Sequence, residues 1–184
     1  ERLKAMIETR PDWCVSRQRV WGVPLPIFVN KKTKKVLVDD EVNENIAGIY
    51  EKEGSDCWFS DSSQRFLGEK YKAENYDKLS DIVEVWFDSG STHSFVLEKR
   101  EDLKWPASMY LEGSDQHRGW FHSSLLESCG TRGRAPFESI LSHGFVVDGK
   151  GLKMSKSLGN VIAPEDILKK YGADILRIWV ASSN

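Results

Sequence analysis

Apolar positions change rhythm several times along this chain. Leu3, Met6 and Ile7 fall at helical spacing and Pro11 ends the run, so residues 1–9 predict a short helix. Residues 25–29 and 35–38 read as two strands across the polar turn that begins at Asn30, a hairpin. Residues 39–80 lose any clear period. They are acidic and polar, yet they hold Trp58, Phe59 and tyrosines at 50, 71 and 76. That aromatic content predicts a small inserted lobe with short helices, because a linker seldom carries so much apolar area.

A β/α rhythm begins at residue 81. Residues 82–87 predict a strand, 88–93 a turn, and 94–98 a short helix. A second strand is expected over 108–112. A helix follows with Phe121, Leu125 and Cys129 on one stripe, closed by Gly130. Residues 139–147 predict a third strand broken near Gly144. Pro164 suits a helix start, and Ile175, Leu176, Trp179 and Val180 mark a last helix. The fold class is α/β: strands alternating with helices indicate a parallel sheet covered on both faces. The expected organisation is a first segment over 1–38, the inserted lobe over 39–80, and the β/α segment over 81–184. Ligands in such folds gather at the carboxyl ends of the strands. Polar clusters lie there: Asp88-Ser-Gly, Glu112-Gly-Ser-Asp-Gln and Ser142-His-Gly.

Composition narrows the function. With 184 residues, 40% hydrophobic and 29% charged, the chain should fold as a soluble globular unit of ordinary domain size. A formal net charge of -2 offers no global basic field, so any nucleic-acid contact must be local. Cys14, Cys57 and Cys129 are isolated and the four histidines scattered. Neither a zinc site nor a disulfide framework is expected, and idle thiols suit a reducing compartment. No apolar run approaches the roughly 20 residues of a membrane helix, and no signal peptide is visible. The chain opens on Glu1, already in helical pattern, which suggests a piece of a longer protein.

The densest chemical signal is Lys153-Met154-Ser155-Lys156-Ser157, flanked by Gly149, Gly151 and Gly159. Two ammonium groups on a pliant loop suit a polyphosphate whose charge shifts as a phosphorus–oxygen bond breaks. Repulsion among Lys150, Lys153 and Lys156 predicts a loop that orders when phosphate arrives. A surface loop bathed in solvent is the plain alternative. Trp86 ends the strand predicted over 82–87, where its flat indole could wall an aliphatic side chain or pack in the core. Glu112, Asp115 and Gln116 crowd one strand-to-helix turn. One of Ser114 and Asp115 would cap the helix, leaving carboxylate and amide groups for an ammonium or ribose hydroxyls. His143 sits at a strand end and could be structural or could bond a phosphate or ribose. Arg17, Gln18 and Arg19 near Trp13 and Trp21 form a weak candidate for stacking on a nucleotide or an RNA end.

These strings together resemble the class I aminoacyl-tRNA synthetases, and among them the isoleucine-specific branch. The matching runs include 13–22, 85–93, 110–121, 141–145, 153–157 and 171–177, in order along the chain; only 39–80 matches loosely. The resemblance implies a Rossmann-like nucleotide fold that activates isoleucine with ATP and Mg²⁺ and transfers it to the acceptor end of tRNA(Ile) in the cytoplasm. Glu112, Asp115, Gln116 and His143 would contact the isoleucyl-adenylate and Trp86 would wall the isoleucine side chain. Lys153 and Lys156 would neutralise phosphate, Lys156 above all. The chain departs from the family by omission: the His-Ile-Gly-His-type motif is absent. The segment therefore corresponds to the second half of a split catalytic domain. Its partner is the remainder of the same polypeptide, with an editing domain before residue 1 and an anticodon domain after 184. Alone it is expected to be inactive. Competing readings are a non-catalytic nucleotide- or RNA-binding module, and another adenylyl-transferring enzyme of related fold.

Overall fold

The computed structural model describes residues 2–183, which divide into two compact units. The first comprises residues 1–110 and 115–139, the second 111–114 and 140–184.

In the first unit, helix α1 (Arg2–Glu8) leads to strand β1 (Ser16–Arg17), which pairs antiparallel with β4 (Ile82–Val83). Strand β2 (Phe28–Asn30) pairs antiparallel with β3 (Tyr76–Lys78), with Phe28 opposite Lys78. The turn expected after Asn30 is present: Asn30 Oδ1 accepts from the amides of Lys32 and Thr33, and Leu37 N donates to Phe28 O at 2.8 Å. Only a single antiparallel bridge, Val29 with Val36, follows it, so β3 is the ladder partner of β2.

Between β2 and β3 lie α2 (Asp40–Glu53), α3 (Cys57–Ser60) and α4 (Ser63–Leu67). Asp39 caps α2 by accepting from the amides of Glu41 and Val42, and it also holds Lys70 Nζ and Tyr71 Oη. The hydrogen bond from Lys70, with that from Tyr71, pulls its carboxyl down to about 2. Val42 and Ile46 are one turn apart and turn inward. They meet Phe28, Cys57, Trp58, Phe66 and Leu67 in one core. Trp58 is fully buried, its Nε1 donates to Leu79 O at 2.8 Å, and its ring lies 5.1 Å from Phe28 and 4.9 Å from Phe66. Burial presses the Lys78 pKa down, while its ammonium lies over the Trp58 ring at 5.2 Å and donates to Asp61 O.

The strand expected over 82–87 ends after Val83. Val85–Gly90 is helix α5, because the buried Glu84 folds its carboxylate back to accept from Trp86 N at 3.0 Å. That cap nucleates a helical turn where β-branched and aromatic residues would otherwise extend. A wide helical turn, His93–Leu97, follows α5. Helix α6 (Trp120–Arg132) runs past the stop expected at Gly130. It ends at Gly133, whose φ of 73° lets its amide return to Cys129 O.

The second unit holds strands β5 (Tyr110–Gly113), whose first residue belongs to the first unit, and β6 (Ile140–His143). They are hydrogen-bonded neighbours, and the bridge just upstream, Ala107 with Phe137, is parallel. Helix α7 (Pro164–Tyr171) starts on Pro164 as expected, with Glu165 and Asp166 in its first turn and Lys169 and Lys170 in its last. Gly172, at φ 81°, separates it from α8 (Ala173–Ser182). The residues that mark this last helix are open to solvent here: Ile175, Trp179 and Val180 are exposed and Leu176 is half-buried.

Trp58→Ala should cost about 3–5 kcal/mol, the usual range for truncating a buried tryptophan. Denaturant unfolding of the chain, with its parent alongside, checks this.

Candidate functional site

Helices α5 and α6 lie so close that two glycines are needed between them. A Cβ on Gly90 would stand 2.1 Å from Glu127 Oε1 and 3.0 Å from the Ser123 carbonyl carbon. A Cβ on Gly119 would stand 2.4 Å from Gln116 Oε1 and 3.2 Å from Trp86 Cη2. Trp120 ties the pair together, its Nε1 donating to Ser89 O at 2.9 Å while its ring stacks on Tyr110 at 4.1 Å.

This contact brings Trp86 and Gln116 together over Gly119. Gln116 lies in the 3₁₀ turn Ser114–Arg118, and its Oε1 accepts from Trp120 N at 2.9 Å. Its carbonyl is thus spent on the start of α6, and Nε2 remains as the donor without a partner among the described residues. Trp86 sits in the first turn of α5 with 42% of its surface exposed. It edges a small cleft, about 110 Å³, lined also by Arg10, Trp13, Glu84, Arg118 and His122. Asp115, in the same turn as Gln116, is exposed.

The other candidates lie in the second unit. Glu112 is exposed on β5, and His143 is the last residue of the neighbouring strand β6. His143 Nδ1 lies 2.8 Å from Gly144 O. A carbonyl only accepts, so Nδ1 carries the proton there, and in its neutral form the ring offers Nε2 as an acceptor. That arrangement suits a hydroxyl donor such as ribose better than a phosphate oxygen.

The two lysines differ. Lys153 Nζ rests 3.5 Å from the centre of the Phe145 ring, a cation–π contact. Lys156 is exposed, and its ammonium has no hydrogen bond or ion pair among the described residues, although its carbonyl accepts from Gly159 N. The loop they occupy has its own frame. Val147 and Lys153 form an antiparallel bridge, Met154 N donates to Val146 O, and Gly159, at φ 66°, returns its amide to Ser155 O.

Arg17 is not a free base for nucleic acid. Its Nη1 donates to the carbonyls of Cys14 and Ser16 at 2.6 and 2.8 Å. Gln18 is likewise engaged with Ser16 and Asp81, whereas Val20 and Trp21 are almost wholly exposed.

Sequence reasoning missed a second cavity of the first unit, about 540 Å³, lined by Trp13, Phe87, His93, Leu126, Glu127 and Arg132 among others. Both Glu127 carboxylate oxygens are buried without a partner among the described residues. Burial, aided by the nearby Asp88 charge, pushes its carboxyl up to about 8. Burial also lowers the His93 pKa, and raises that of Asp88. Nothing in the sequence marks Glu127, because its isolation comes from the close approach of Gly90.

The sequence of all 184 residues matches the family model for class I tRNA synthetases (I, L, M and V). The chain belongs to that family. A curated isoleucine–tRNA ligase from Pelagibacter ubique is 91% identical over the whole chain, and one from Brucella abortus is 60% identical. The chain spans about a fifth of their length, 20% and 19%. Among solved structures, the LeuRS–tRNA–LeuAMS ternary complex of Agrobacterium radiobacter superposes on 91% of the chain and 23% of its own, with a TM-score of 0.60 at 23% identity. That likeness shows the catalytic-domain fold of class I synthetases, in which helices accompany a parallel strand pair. No helix among the described residues of this class I synthetase segment is long and apolar enough to cross a membrane.

The unfolded chain releases the Glu127 proton near 4.5, whereas the folded chain keeps it to about 8. Native stability should therefore decline as pH rises between those values. Glu127→Gln removes this slope, so its melting temperature should gain on the parent's steadily from pH 5 to pH 8. A constant offset across that range would show that Glu127 ionises freely in the native state.

Proposed function

We propose that this chain is the second half of the catalytic domain of an ATP-dependent isoleucine–tRNA ligase. The observation that carries the reading is the exposed Lys156, its ammonium without a partner among the described residues, on a hydrogen-bonded loop in a chain that isoleucine–tRNA ligases match from end to end. In this reading the β5–β6 pair with α6, α7 and α8 is part of a Rossmann-like nucleotide fold over 81–184. Residues 39–80 are the inserted lobe, and 1–38 lead into it.

The chemistry follows from the donors and acceptors available. The carboxylate oxygen of isoleucine attacks the α-phosphorus of ATP, and the bond to the bridging oxygen of pyrophosphate breaks. Negative charge grows on the departing phosphates, which arrive with Mg²⁺ as part of the substrate. Lys156, whose ammonium has no carboxylate partner among the described residues, meets that charge, and Lys153 leaves the Phe145 face to assist. Glu112 and Asp115, both exposed carboxylates, hold the α-ammonium and ribose hydroxyls. Gln116 Nε2 donates to an adenylate oxygen, and His143 Nε2 accepts from a ribose hydroxyl. Trp86, partly open to solvent and packed on Gly119, offers an apolar wall for the isoleucine side chain. A hydroxyl of the terminal adenosine of tRNA(Ile) then attacks the adenylate carbonyl and releases AMP, giving the isoleucyl ester. The ligase so described works in the cytoplasm.

In the full-length ligase, Lys156→Ala should lower isoleucine-dependent ATP–pyrophosphate exchange by roughly 10²–10³-fold, the usual effect of removing one transition-state donor. The isoleucine KM should hardly move. The 184-residue chain alone, assayed in parallel, should give no exchange, because positioning and charge stabilisation require both sides of the site. An unchanged exchange rate in the Lys156 variant would return the loop to the role of a plain surface turn.

A further inference from the structure

The lysine loop is built around two side chains that lie outside its lysine motif. Asp148 Oδ1 accepts from the amides of Lys150 and Leu152, both at 2.9 Å, closing the tight turn before the loop. Its second oxygen, Oδ2, accepts from Asn160 Nδ2 at 2.9 Å. Asn160 in turn takes hold of the motif itself. Its Oδ1 accepts from Ser155 N at 2.9 Å, and its Nδ2 also reaches Lys153 O at 3.3 Å. One amide side chain thus brackets Met154 and pins the backbone on either side of it. Lys153 leaves from the start of that pinned stretch, and Lys156 follows one residue beyond its end.

The charge state supports the arrangement. The Asn160 hydrogen bond, then the amides of Leu152 and Lys150, hold the Asp148 carboxyl below its usual range. Both side chains are partly shielded, whereas Lys153 and Lys156 are exposed. Hydrogen bonds to a carboxylate are the stronger kind, so a single ionised group can anchor several backbone donors at once. These bonds shape the backbone near the motif from within the chain.

We propose that Asp148 and Asn160 act as a positioning clasp, which sets the path of the backbone between the two lysines and so the place where their ammonium groups meet phosphate. This rests on the reading of Lys153 and Lys156 as phosphate ligands. Neither clasp residue touches substrate; each acts through the loop backbone.

The test is steady-state ATP–pyrophosphate exchange in the full-length ligase. Asn160→Ala removes all three contacts of the amide, and should lower kcat by about 10- to 10²-fold, the scale of a small misplacement of catalytic groups. The isoleucine KM and the melting temperature should stay close to the parent's. Asn160→Asp keeps the acceptor for Ser155 N but sets two carboxylates face to face, so it should be as impaired. The double variant Asp148→Asn/Asn160→Asp exchanges donor and acceptor and restores the pair, losing only the contact to Lys153 O. It should recover most of the lost kcat, which a merely space-filling role would not produce. Normal kcat in Asn160→Ala, or no recovery in a folded double variant, overturns the clasp. Lys156→Ala in the same assay separates the two claims. If it is impaired while Asn160→Ala is not, the clasp alone falls. If neither is impaired, the phosphate reading falls with it.

Discussion

The close approach of α5 and α6 is the constraint on which the first unit's functional surface depends. Two missing Cβ atoms permit it. Gly90 lets α5 lie against the Ser123 backbone, and Gly119 lets Trp86 and Gln116 close over the start of α6. Trp120 then spans the gap to Ser89 O. In consequence Gln116 spends its carbonyl on the helix and presents its amino group, and Trp86 stands at a cleft instead of in a core. The same approach isolates the Glu127 carboxyl. A methyl group at Gly90 would press on Glu127 and the Ser123 backbone, and one at Gly119 on Gln116 and Trp86.

The second unit works by a different principle. It has little apolar burial to hold it, and its lysine loop is shaped by local hydrogen bonds, above all those of Asp148 and Asn160. Phosphate-binding groups must be held at a fixed spacing yet remain solvated until the ligand arrives. A frame of backbone amides pinned by one carboxylate and one carboxamide meets both demands, because it fixes the backbone and leaves Lys156 free. Lys153 lies on Phe145 and the Lys156 ammonium has no partner among the described residues, which gives the two different work in the proposed reaction.

Much of this was legible in the chain, and what was not has a physical reason. Helix α1, the start of α7 at Pro164 and the strand carrying Glu112 follow from spacing and from proline, which are local signals. The lysine loop was visible for the same reason, since everything that shapes it lies between residues 146 and 160. The strand expected at Trp86 was lost to Glu84, whose cap outweighs the β preference of Val85 and Phe87. The helix stop at Gly130 was misplaced because a glycine closes a helix only where the chain turns left-handed, and that is at Gly133. Arg17 read as a nucleic-acid contact because its carbonyl partners lie in a loop geometry that no pattern displays. Glu127 and its cavity depend on residues more than thirty positions apart, which periodicity cannot relate.

In the proposed reaction Trp86 reads the amino-acid side chain and the lysine loop handles phosphate. Single-turnover formation of the adenylate, measured with isoleucine and with valine in the full-length ligase, tests that division. The two amino acids differ by one methylene, worth about 1–3 kcal/mol in an apolar pocket, a limit for which isoleucyl-tRNA synthetase itself is the standard example. Trp86→Ala should slow isoleucine more than valine and so shrink the preference. Lys156→Ala should slow both alike and leave the preference unchanged. A Trp86→Ala enzyme that stays folded and keeps the parent's preference, or a Lys156→Ala enzyme that loses it, would contradict the assignment.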